Sequence, residues 1–142
     1  MNMRNSIIIT LEILVAILVI AVTLFVSVPK FSNILRKSED IATKKGLTYL
    51  RSAIALYYSE NSGKYPDANI AKELVQKGYI QEIPYAYIPG HKKSNTIHVD
   101  NLENNVDTGG WAYKASDIKD STGKYKGQIW VNCSCGDYWS NL

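Results

Sequence analysis

The sequence predicts an α+β protein in which one long N-terminal helix, apolar in its first half and amphipathic in its second, packs on a small antiparallel sheet of about three strands. Three observations predict it. An apolar run extends from Ile7 to Val28, apolar residues then recur at near-helical spacing to Tyr57, and the remainder holds three short β-type runs between Gly- and Asn/Asp-containing turns. The 142 residues leave room for one domain and one membrane segment. The formal charge of +3 is spread along the chain rather than gathered in a stripe, which argues against a nucleic-acid partner. Ten tyrosines and three tryptophans suit packed elements whose polar tips reach water or a partner.

The first element, IIITLEILVAILVIAVTLFVSV, has only Thr10, Glu12, Thr23 and Ser27 as polar members. At about 1.5 Å rise per residue it covers about 33 Å, against a hydrocarbon core of about 30 Å. A secretory signal peptide would have an apolar core of about 7–15 residues and end at small residues. Pro29 ends this run instead, with Lys30, Arg36 and Lys37 beyond it. Pro29 is expected to bend or break the helix. Basic residues flank both sides of the span, and the positive-inside rule alone favours the reverse of an exported C-terminus.

Glu12 needs compensation, because an ionisable side chain on a lipid-facing helix costs roughly 2–3 kcal/mol or more near the membrane centre. Two readings stand. Either Glu12 snorkels to the interface or is protonated and does nothing more, or a cation on a neighbouring subunit neutralises it when helices bundle. A free N-terminal amine at similar depth on an identical helix would serve as that cation.

Ile8-Ile9-Thr10-Leu11-Glu12, the apolar run after it and Pro29-Lys30-Phe31-Ser32-Asn33 together resemble the N-terminal motif of type IV pilins and type II secretion pseudopilins. Family members have a short basic leader, a cleavage site, a glutamate shortly after it and a proline closing the membrane half of the helix. The resemblance implies a pilin-like fold with a basic leader at 1–7, a transmembrane half-helix at 8–29, an amphipathic stalk helix at 30–60 and an exported head at 61–142. It also implies assembly through Glu12 and Pro29, cleavage between Ile7 and Ile8 by a prepilin peptidase, and methylation of the new terminus. The family's peptidase cuts after glycine, and Ile7 stands at that position. Cleavage after the small Ser6, or an uncut chain, are the alternatives. The implied partners are copies of the same chain, other pilin-like subunits and inner-membrane assembly machinery, and the implied location is the bacterial inner membrane with the head in the periplasm.

The second half of the helix is predicted from Phe31 to about Tyr58, with an apolar face of Ile34, Leu35, Ile41, Leu47, Leu50, Ile54 and Tyr57. Gly46 weakens it by about 1 kcal/mol relative to alanine. Lysines and arginines at 36, 37, 44, 45 and 51 read as a solvated face. Asn61-Ser62-Gly63-Lys64-Tyr65-Pro66 stops the helix. Asp67 is expected to cap a short helix from about Ala68 to Lys77, ended by Gly78, and Ile83-Pro84 begins a loop. Thr96–Val99, Trp111–Tyr113 and Gln128–Val131 supply the strands, whose sheet must pack on the second half of the long helix to bury a face. Gly63-Lys64-Tyr65-Pro66, Lys77-Gly78-Tyr79-Ile80, Thr108-Gly109-Gly110-Trp111 and Gly127-Gln128-Ile129 also resemble the major pseudopilin of type II secretion.

Chemistry is sparse. His91 and His98 read as exposed loop residues, their spacing giving no ready metal geometry unless a third ligand approaches. Cys133 and Cys135 lack zinc-knuckle spacing and form either a strained, labile disulfide or two thiols. Asp107, Asp117, Asp120 and Asp137 show no EF-hand spacing, so no calcium site is assigned. No phosphate loop, G-x-S-x-G or H-E-x-x-H motif occurs. Neither enzymatic activity, nor a metal, nor a cofactor is expected. The leading expectation is a structural filament subunit used in secretion, adhesion or motility; its rival is a non-polymerising, single-span periplasmic sensor or binding protein.

Overall fold

The computed structural model describes residues 3–100, 107–117 and 123–134. Helix α1 spans Met3–Glu60. It runs through Pro29 rather than breaking there. Proline's fixed φ of about −65° is itself helical, so the disturbance is local to the hydrogen bond it cannot donate and the carbonyl it crowds, while the turns on either side keep theirs. The predicted stop is where the sequence puts it. After Glu60 the chain turns at Ser62 and Gly63, both with positive φ, and Asn61 N–H and the Asn61 amide both donate to Tyr57 O.

Helix α2, Ile70–Gln76, is shorter than expected and starts later. Asn69 occupies the N-cap without a side-chain cap, and Asp67 contributes its backbone carbonyl, which accepts from Ile70 N–H at 3.1 Å, in place of the expected carboxylate cap. The C-terminal end follows the sequence closely. Gly78 at φ +78° sends its N–H to Val75 O, and Tyr79 N–H goes to Leu74 O. That pair of bonds is a Schellman motif, which needs a left-handed residue and so selects glycine.

Three strands follow: β1 Ile97–Val99, β2 Trp111–Tyr113 and β3 Ile129–Val131, in spatial order β1-β2-β3. The sheet is mixed, which corrects the antiparallel expectation. β2 pairs antiparallel with β3, Ala112 opposite Trp130, but parallel with β1, His98 beside Ala112. Alternation of side chains carries no direction, so the sequence pattern could not separate the two pairings; the connection that brings the chain back to the start of β1 decides it. Asp100 begins that connection at φ +50°, and its carboxylate accepts from Ala115 N–H, Ser116 N–H and the Ser116 hydroxyl.

The chain divides into two compact units, Met1–Ser38 and Glu39–Leu142. Within the second, Leu47, Leu50, Ile54 and Tyr57 of α1 form one core with Ile70 and Leu74 of α2, with Ile80, Ala86 and Ile88, and with Trp111, Tyr113, Ile129 and Val131 of the sheet. The sheet therefore packs on the second half of the helix, as its size demands. The apolar face of α1 is covered only from Leu47 onward: Ile34, Leu35 and Ile41, counted in the same stripe by periodicity, are exposed.

Gly46 has a different role from the one its propensity suggests. A Cβ there would lie 3.2 Å from both Pro84 Cβ and Trp111 Cζ2, so the missing side chain is what lets the loop and the indole close on the helix. Trp111 is fully buried and its Nε1–H donates to Pro84 O at 2.8 Å, tying that loop to the central strand. One turn earlier, the buried Thr43 hydroxyl accepts from Tyr87 N–H at 2.8 Å and lies within hydrogen-bonding distance of Tyr87 O and Glu39 O. Together these contacts hold residues 84–88 against α1 before any strand is reached.

Candidate functional site

The unusual surface of the first unit is the span itself. Ile7–Phe25, 19 residues, is a helical segment long and apolar enough to cross a membrane, and none of it is buried against the rest of the chain. Its length is about 28 Å, close to the ~30 Å hydrocarbon thickness. Ile8, Leu11, Leu14, Leu18 and Phe25 are among the exposed apolar side chains. In water such a surface is unfavourable by roughly 25 cal/mol per Å², so it calls for lipid or for other helices.

Polar groups on this segment are treated unequally. Thr10 Oγ1 donates to Ile7 O at 2.9 Å, and Thr23 Oγ1 lies 2.8 Å from Ile20 O and 3.1 Å from Val19 O. These hydroxyls are satisfied by the helix's own carbonyls, as threonines in membrane helices commonly are. Glu12 is exposed, and no hydrogen bond or ion pair reaches its carboxylate among the described residues. Among the described residues nothing on this helix compensates it.

Ile7 and Ile8, which flank the expected cleavage point, are exposed on α1. Ser6 and Pro29 lie within the helical backbone of α1.

Three residues of the second unit that the sequence leaves scattered are brought together. His91 Nε2 lies 3.2 Å from Asp107 Oδ1 and 3.8 Å from Cys133 Sγ. His91 is half-buried, not the exposed loop residue expected, and His98 sits on β1 with its Nε2 3.2 Å from Thr108 Oγ1. The fold thus brings two partners to His91 but leaves His98 out of the cluster, so the two histidines share no site among the described residues. Hydrogen bonds from Ser134, with His91 adding a smaller attraction, hold the Asp107 carboxyl below its ordinary range. Cys133 is disulfide-bonded; the chain's other cysteine, Cys135, lies outside the described residues. A disulfide sulfur is no thiolate, so the cluster offers one imidazole and one carboxylate, short of the three or four protein ligands of a zinc site.

The acidic residues weighed for calcium are otherwise engaged where they are described. Asp117 pairs with Lys126 at 3.0 Å, and Asp107 is held by Ser134 and His91. Asp120 and Asp137 lie outside the described residues.

Sequence reasoning missed Thr43, Gly46 and Asp100 as organising residues. Only Asp100 carried a local signal, since Asp tolerates left-handed backbone and bonds its own neighbourhood in turns. No family model, no curated protein and no solved structure matches the chain.

Proposed function

We propose that this chain is a structural subunit of a type IV pilus-like or type II secretion pseudopilus filament. It is held in the bacterial inner membrane by its N-terminal helix before assembly, with its head exported to the periplasm, and it catalyses no reaction. The observation that carries the reading is a single helix joining an uncovered apolar span, with a carboxylate at Glu12, to a face buried in a folded α+β unit. A bare anchor would gain from an apolar residue at that position, since an ionisable side chain within a lipid-facing span is unfavourable. Retaining the acid makes sense where a neighbouring copy supplies a cation, so that the charge fixes the register of one helix against the next.

The test is Glu12→Leu, with filament yield and membrane insertion read separately. Loss of the intersubunit charge pair should reduce filament recovery by about tenfold or more, while insertion is unchanged or improved. Normal filament yield from Glu12→Leu would remove the assembly role and favour the rival, a single-span sensor or binding protein for which the helix is only an anchor.

A further inference from the structure

Beyond the apolar span, α1 carries a second uncovered surface. Phe31 and Ile34 are each 63% exposed and Leu35 is 48% exposed, and none of the three belongs to the core of the second unit. At about 100° per residue they share one arc of the helix about 100° wide, with Arg36 on one flank of it and Lys37 on the other. Both cations are exposed, and among the described residues no hydrogen bond or ion pair reaches either side chain. We propose that this segment is a lipid-binding collar, in which Arg36 and Lys37 bind the phosphates of anionic phospholipid while Phe31, Ile34 and Leu35 rest in the boundary between headgroups and acyl chains. The inference rests on the span crossing a membrane and not on filament assembly.

Charge, continuity and reach select an anionic lipid surface as the occupant. From Ile13 to Ser38 the sequence contains no aspartate or glutamate, and Lys30 adds a third cation to Arg36 and Lys37. The next described cation to find a partner lies farther along the helix, where Asp40 holds Lys44 at 3.2 Å. Residues 31–38 follow the span within the same helix and the same compact unit, so the membrane surface the span leaves is the one this segment meets. Arg36 and Lys37 stand about 12–14 Å past Val28 along the axis. Helix side chains lean back toward the N-terminus, here toward the membrane, and both of these are long. With the ordinary tilt of about 20° their charges reach the headgroup layer, which extends about 5–8 Å beyond the hydrocarbon. An apolar arc flanked by Lys and Arg suits that interface, and each basic residue near it strengthens attraction to anionic headgroups. A parallel copy of the same helix in register would cover the arc but set a second Arg36 and Lys37 beside the first, like charge against like. Anionic lipid covers the arc and neutralises its flanks together.

The experiment reconstitutes the full chain in phosphatidylcholine vesicles doped with acyl-chain spin-labelled phosphatidylglycerol or phosphatidylcholine, and reads by electron spin resonance the fraction of each label held against the protein. Insertion is checked first, by vesicle flotation and resistance to alkaline extraction. The expected result is a preference for phosphatidylglycerol of about fivefold or more at low salt, shrinking as salt is added. The double variant Arg36→Gln/Lys37→Gln should insert normally and fall below about twofold preference. Lys72→Gln/Lys92→Gln, which removes the same charge from the second unit, should keep the native preference. The proposal is overturned if the inserted native chain holds both lipids alike, if the helix variant keeps the native preference, or if the second-unit variant loses as much of it. A preference that appears only at protein-to-lipid ratios where chains associate would assign the surface to a second copy and overturn it too. A chain that does not insert would overturn the membrane reading on which the inference rests, an outcome distinct from insertion without selectivity.

Discussion

Gly46 and Gly78 are the same residue type doing opposite jobs, and the difference is measurable. Gly46 lies inside α1, where alanine is intrinsically better by about 1 kcal/mol, but its Cβ would press on Pro84 and Trp111 at 3.2 Å. Overpacking of that kind typically costs about 1–3 kcal/mol, so Gly46→Ala is expected to lower stability by about 1 kcal/mol in chemical denaturation. A gain in stability would show that Pro84 gives way freely. Gly78 has no atom within 4 Å of its Cβ position and a φ of +78°. Gly78→Ala is expected to cost about 1–2 kcal/mol through backbone conformation alone, and a neutral result would mean the Schellman turn is not needed. Asp107 supplies a pH test. Its carboxyl is depressed in the folded chain by Ser134 and His91, so its contribution is present above the ordinary carboxylate pKa of 3.8 and is lost as pH falls through the lower folded value. The stability difference between the native chain and Asp107→Asn should be constant at neutral pH and shrink only below 3.8, read by tryptophan fluorescence during acid titration. A difference that did not shrink below 3.8 would remove this role from Asp107.

At the scale of elements, the end of α1 and helix α2 are joined by a polar lattice at the edge of the core, centred on the Tyr57 hydroxyl. Tyr57 O–H donates to Glu73 Oε2 at 2.6 Å, Lys77 Nζ reaches Tyr57 Oη at 3.2 Å and Asn61 Oδ1 at 3.1 Å, and Tyr79 O–H donates to Glu60 Oε2 at 2.8 Å. The bond to Glu73 is the first reason the Tyr57 phenol is shifted above its ordinary range. Beneath this lattice Ile70 and Leu74 enter the core, so α2 is fixed both by its buried face and by its polar one. Periodicity and turn residues made the existence of α1 and α2 legible, and Gly78 marked the end of α2. The expected carboxylate cap from Asp67 did not form, because a side-chain acceptor is useful only where the first helical N–H groups point, and that direction is set when α2 docks.

For the molecule as a whole, the proposal makes the N-terminus a chemical participant. If a neighbouring amine compensates Glu12, a chain recovered from assembled filaments should begin at Ile8 or Ile7, with or without an added methyl group, rather than at Met1. Intact mass and N-terminal sequencing check this. Filaments built from a chain still starting at Met1 would need another cation for Glu12, because the α-amine would then lie seven residues before Ile8 in the chain. The same measurement on the unassembled membrane pool separates processing from assembly.

The sequence by itself determined the apolar span, the carboxylate at Glu12 within it, the stop after Glu60, the positions of the three strands within a residue and the left-handed turn at Gly78. These features depend on local periodicity and on the backbone angles a residue can adopt. Tertiary structure alone decided that β1 runs parallel to β2, that the apolar stripe of α1 is covered from Leu47 but not at Ile41, that Gly46 admits Pro84 and Trp111, and that His91, Asp107 and Cys133 meet. Each of these depends on where a connection returns the chain, and residues distant in sequence become neighbours only when burying the shared core offsets the entropy of closing the loops between them.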